Sequence, residues 1–146
     1  MAAEYSYIPI QTVAENSNIA FMDGDRCCKK GFIQHRSGSG IFRLKGVSNA
    51  CKTIYKVQVN ANIAVAPADE GGVLGPISIS LQEDSETIGN AVAIVTPAAI
   101  ETDFFNVSFS TFIIVPCGCC VTVSVENTSE TAISVQNANI IIDRVA

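Results

Sequence analysis

The sequence predicts an all-β domain, an antiparallel jelly-roll sandwich of about eight to ten strands, on three observations. The first is aliphatic composition: the 146 residues contain 18 Ile and 15 Val but only 3 Leu. Branching at Cβ stiffens a side chain, weakens helices and suits a pleated strand. The second is period-two alternation, which recurs along most of the chain. The third is the spacing of turn signals, which cut the chain into short runs of the length found in sandwiches and barrels.

The elements follow in chain order. Tyr7-Ile8-Pro9-Ile10 and Asn18-Ile19-Ala20-Phe21 read as short strands, with residues 1–16 as an extended N-terminal arm. Gly31 to His35 and Ile41 to Leu44 flank Ser37-Gly38-Ser39-Gly40 and read as a hairpin. From Tyr55 to Val65 the odd positions Tyr55, Val57, Val59, Ala61, Ile63 and Val65 alternate with mostly polar residues, the pattern of a strand with one buried face. Pro67 and the run to Gly72 break it. Ile77 to Leu81 and Thr87 to Val95 form a hairpin about the polar turn Glu83-Asp84-Ser85-Glu86. Residues 104–115 make a long strand with Phe105, Val107, Phe109, Thr111, Ile113 and Val115 on its core face. Phe104, Asn106, Ser108, Ser110, Phe112 and Ile114 share the other face. After a turn at Pro116-Cys117-Gly118, Val121, Val123 and Val125 mark another strand, and residues 126–130 read as a polar turn. The last strand, residues 132–143, changes phase between Val135 and Ile140, which predicts a bulge near Gln136-Asn137. The predicted core includes Val57, Val59, Phe105, Phe109 and Val123. No linker or repeat interrupts the chain, so residues 1–146 read as a single domain.

Composition excludes several function classes. Only 16% of residues are charged and 48% are hydrophobic, which excludes the disordered class. With 9 Lys+Arg against 14 Asp+Glu the net charge is −5, and no basic run exists to neutralise phosphates, so no nucleic-acid partner is expected. No segment approaches the roughly 20 apolar residues of a membrane-spanning helix, so no membrane insertion is expected. Met1 to Tyr5 resembles no secretory signal, and synthesis in a cytoplasm is the expectation.

The order of these features resembles the tumour necrosis factor-like jelly roll. The residues that carry it are Asn18 to Phe21, Gly40-Ile41-Phe42-Arg43-Leu44, Thr53 to Val57, the hairpin strands, the aromatic strand 104–115, and Pro116-Cys117-Gly118 leading into Val121-Thr122-Val123. Over residues 17–146 the chain looks like the C-terminal heads of bacterial collagen-like surface glycoproteins. Residues 106–146 resemble small proteins of phages and prophages of gut Firmicutes. The resemblance implies a compact homotrimer without enzymatic activity. A collagen-like Gly-X-Y stalk is missing, which favours a short particle subunit. The expected role is a structural virion protein, a capsid-decoration or head/tail-fibre subunit that also contacts other virion or surface proteins. The alternatives are a bacterial spore-surface or appendage subunit, and a carbohydrate- or receptor-binding head.

Several side chains could carry chemistry. Cys27, Cys28, Cys51, Cys117, Cys119 and Cys120 cluster where strands begin or end, and disulfides among them are the expectation. Zinc shared with His35 is disfavoured, because Cys-x-Cys-Cys does not match the paired spacing of tetrahedral sites. A Cys–His nucleophile pair built on His35, the lone histidine, is disfavoured as a chance coincidence. Glu83, Asp84 and Glu86, like Asp23-Gly24-Asp25, could hold a hard cation but read as solvated turns. Gly38-Ser39-Gly40 has no following helix with which to bind phosphate. No catalytic residue, metal or cofactor is therefore expected. Phe104 and Phe112 stand on a polar-patterned face, and we assign them to contacts near the three-fold axis of a trimer.

Overall fold

A computed structural model of the chain describes residues 2–23, 32–46, 52–84, 86–98, 104–116 and 120–145. Eleven strands occur among them: β1 (Ala2–Tyr7), β2 (Gln11–Val13), β3 (Met22–Asp23), β4 (Ile33–His35), β5 (Ile41–Lys45), β6 (Lys52–Val65), β7 (Ile77–Glu83), β8 (Glu86–Val95), β9 (Phe105–Pro116), β10 (Cys120–Asn127) and β11 (Ile133–Arg144). A single turn of 3₁₀-helix, Ala68–Glu70, follows β6. The first sheet runs β3-β1-β11-β6-β9, with β2 also paired to β11, and the second runs β4-β5-β10-β7-β8. All pairs are antiparallel. From β5 onward the chain passes between sheets at nearly every connection, which is jelly-roll winding.

The alternation on β6 sets the core. Tyr55, Val57, Val59, Ala61 and Ile63 are buried, and they pack against Phe42, Leu44, Ile79, Leu81, Val123 and Val125 of the opposite sheet within one apolar cluster. Burying that many aliphatic side chains at about 1.5–3 kcal/mol each is the main force that closes the sandwich. On β11 one extra residue lies between Gln136 and Asn139, and Asn137 takes a left-handed backbone with φ 54°. Inward positions are odd before this bulge, Ile133 and Val135, and even after it, Ala138, Ile140 and Ile142. The expected bulge is therefore present, and it re-phases the strand so that both halves bury their aliphatic residues.

Several expectations are corrected. The opening segment is no extended arm. Residues 2–7 pair with residues 138–143 of β11, and Ala3 and Tyr5 are buried. Their alternation spans too few residues to stand out in the sequence. The strand expected at residues 7–10 begins at Ala2 instead, and Asn18 to Phe21 makes a single bridge, Asn18 to Glu126. Phe105 is 38% exposed because it occupies the last rung of its sheet, opposite Ile63, and Phe109 is half-buried against the core. Val57, Val59 and Val123 are buried as expected.

The polar turn expected at residues 126–130 is only partly open to solvent, with Glu130 exposed. Asn127, Ser129 and Thr131 are all buried. The Asn127 amide donates to the carbonyls of Val13 (3.1 Å), Ala14 (3.2 Å) and Thr131 (2.9 Å). Its carbonyl accepts from the Ser129 N–H at 3.0 Å. One side chain thereby ties the end of β10 to the segments beside β2 and β11, which belong to the other sheet.

Candidate assembly surface

The outward face of the first sheet is ordered in rows by strand register. Phe112 faces Lys56, which in turn faces Asp143, and Ile114 faces Ile54 on the next row. Ser110, Gln58 and Ile141 form the row on the other side. Further along, Asn106 faces Asn62 and donates to its amide carbonyl at 3.0 Å, while Asn139 donates to the Glu4 carboxylate at 3.0 Å. The face is thus divided. One end is a band of amides and hydroxyls, and the other carries Phe112, 62% exposed, and Ile114, 53% exposed. Val145, also exposed, lies beyond the same end through the bond from its N–H to the Ile54 carbonyl. The apolar end sits on β9, the last strand of its sheet among the described residues, where a sheet can accept further protein.

Phe104 and Phe112 share strand parity, as the alternation implies, but eight residues of extended chain put them about 27 Å apart. Phe104 is half-buried beside the start of β9. Phe112 instead keeps company with Ile114 and Ile54. Period two alone places Ile114 beside Phe112. Ile141 comes to this face only through the bulge on β11, which the sequence locates but does not fix to the residue.

His35 is engaged structurally. Its side chain is fully buried, with Nδ1 2.6 Å from the Asp23 carboxylate and Nε2 2.7 Å from the Ser39 carbonyl. The ring stacks on Phe42 at 4.2 Å and meets Tyr5 edge-on at 4.8 Å. Cys120 faces the opposite side of the same sheet, exposed and unbridged, with the Arg43 guanidinium donating to its sulfur at 2.7 Å. The two do not form a nucleophile pair. Cys27, Cys28, Cys51, Cys117 and Cys119 lie outside the described residues, and with them the expected bridges. Among the described residues no group of three or more His, Cys, Asp or Glu is placed to hold a metal ion.

The carboxylate turn is spaced by hydrogen bonding. Asp84, with φ 50°, accepts from the Thr122 N–H at 3.0 Å and its hydroxyl at 3.1 Å. Burial, with the charges of Asp84 and Glu86 adding to it, pushes the Glu83 carboxyl above its ordinary range. In the core, burial likewise raises the Tyr55 hydroxyl, which donates to the Lys45 carbonyl at 2.5 Å.

No protein-family model and no curated protein sequence matches the chain. Solved structures do. The crystal structure of murine APRIL at pH 5.0 superposes with a TM-score of 0.65 at 8% identity, covering 99% of this chain and 100% of that one. The structure of Eiger TNF from S. frugiperda superposes with a TM-score of 0.64 at 11% identity, covering 99% and 93%. The fold is a tumour necrosis factor-like jelly roll. The likeness extends over nearly the whole chain, and at these identities it speaks for the fold alone.

Proposed function

We propose that the protein is a non-enzymatic structural subunit that assembles as a homotrimer through the β9 end of its first sheet. The observation that carries this reading is Phe112 and Ile114, both more than half exposed and joined by Ile54 and Ile141 at one end of a sheet face whose other end is amides and hydroxyls. Large aliphatic and aromatic side chains exposed together mark surfaces that another protein covers. A second copy supplies the same patch under rotational symmetry. It would also cover the outer side of β9, the last strand of its sheet among the described residues, and an open sheet edge is a template for uncontrolled strand pairing. Within this reading the subunit decorates a phage capsid or forms a short head or tail fibre, a role supported by the resemblance of residues 106–146 to small phage and prophage proteins. Phe112→Asp tests the assembly, because it places a charge in a contact that excludes water. Sedimentation velocity should show the variant dissociating to a species of chain mass while its circular dichroism keeps the β signature. An unchanged sedimentation coefficient would remove the patch from the interface. Mass spectrometry of purified particles tests the virion role, which fails if the protein is absent from them.

A further inference from the structure

The outward face of the second sheet carries a second site, independent of the assembly surface. Register with β10 arranges it as three successive rungs. Arg43 faces Thr122, Ile41 faces Ser124, and Asn18 bridges to Glu126. Four residues of extended strand separate the first rung from the last, about 13 Å. Two concavities lie along this line and share Ile41 as a common wall. One, of about 230 Å³, is lined by Asn16, Asn18, Thr122, Ser124 and Glu126. The other, a shallow depression of about 530 Å³, is bordered by Arg36, Ser39 and Arg43, with one Arg43 N–H already given to the Cys120 sulfur.

The backbone explains why the cleft exists. Below Ile41 the segment 16–19 takes the place of β5 beside β10, through bonds from Ile19 N–H to the Val125 carbonyl (2.8 Å) and Asn127 N–H to the Ser17 carbonyl (2.9 Å). The two pieces are tightly joined, since a Cβ on Gly40 would stand 2.7 Å from both the Asn18 Cβ and the Ile19 carbonyl oxygen. Asn16 holds φ 60°, a left-handed backbone that Asn tolerates.

The chemistry of the lining selects a ligand class. Planar amides and a carboxylate can each take two neighbouring hydroxyls, and hydroxyl side chains both donate and accept. Ile41, 51% exposed, offers an apolar surface to a ring's C–H groups. At the far end two guanidiniums suit a carboxylate, which they can hold bidentately. An extended peptide is a poorer fit, because β10 is already paired on both edges, to β5 and to β7. We propose that this face binds an acidic oligosaccharide of two to three rings. Its hydroxyls would lie in the Asn18–Glu126 cleft and its carboxylate at Arg43 and Arg36.

The test is an array of neutral and carboxylate-bearing oligosaccharides, probed with the full chain and with two variants. Carboxylated members should bind above their neutral counterparts. Arg43→Gln should abolish that preference while weak neutral binding persists. Asn18→Ala should weaken all binding about tenfold, the loss expected for one to two good hydrogen bonds. Melting curves matching the unmodified protein would show that both variants fold. Binding to no member of the array, or equal binding by all three proteins, overturns the proposal. Since the site lies on the other sheet, a monomer that binds these sugars would sink the assembly reading and leave this one standing.

Discussion

Replacing Asn127 with Ala should destabilise the fold more than most single substitutions. The side chain is fully buried, and its two N–H hydrogens serve three carbonyl oxygens, those of Val13, Ala14 and Thr131. Its carbonyl takes the Ser129 N–H (3.0 Å) and the Ser129 hydroxyl (2.5 Å). The hydroxyl has a second acceptor in the Ser78 carbonyl at 3.2 Å, so it keeps a partner when the amide is removed. The Ala14 carbonyl likewise keeps the Ser17 N–H at 3.1 Å, whereas the Ser129 N–H and the Val13 and Thr131 carbonyls lose the bond that Asn127 supplies. Each buried group left unsatisfied costs about 1–3 kcal/mol, and a water entering the vacated space would recover part of this. We expect a net loss of about 3 kcal/mol, or about 6–12 °C in melting temperature for a domain of this size. Asn127→Asp should cost more, since it turns a carboxylate oxygen toward the carbonyls that the amide now satisfies. Urea titration followed by circular dichroism, at one fixed protein concentration, measures both. A loss below about 1 kcal/mol for Asn127→Ala would refute the idea that this residue ties the two sheets.

Two further substitutions probe local geometry and charge. Gly72→Ala should cost about 3 kcal/mol or more, because its Cβ would fall 1.6 Å from the Ala66 carbonyl oxygen and the backbone must move; a melting curve like that of the unmodified protein would contradict this. Glu83→Gln should raise stability near neutral pH. Its carboxyl is raised in the folded state by burial and by Asp84 and Glu86, so the fold binds the proton more tightly than the unfolded chain does. Stability therefore falls as pH rises from the ordinary carboxyl value of 4.5 through the raised one. The benefit of Gln should grow over that window and vanish below it, and equal melting temperatures at all pH values would refute the assignment.

The long strands were legible because each buries one face over many residues. The alternation from Tyr55 to Ile63 needs no context to be read, and the phase change after Val135 announces its own bulge. What escaped the sequence depends on distant partners. β1 is stable only because β11 lies beside it, and the polar residues near the end of β10 are buried because distant segments supply their partners: Val13 and Ala14 for Asn127, Ser78 for Ser129, and Gly71 and Val73 for Thr131. The assembly surface was half legible for the same reason. Period two puts Phe112 and Ile114 on one face, but the neighbours that make a patch of them come from β6 and β11. The rungs on the second sheet were not legible at all, since Asn18, Ile41 and Glu126 approach only through strand register.

The central claim is that the exposed apolar end of β9 is covered by other copies of the chain. Multi-angle light scattering of the purified protein across micromolar concentrations tests it most directly. The account predicts a constant molar mass three times the 15.4 kDa of the chain. A stable species of 15.4 kDa throughout that range would contradict it.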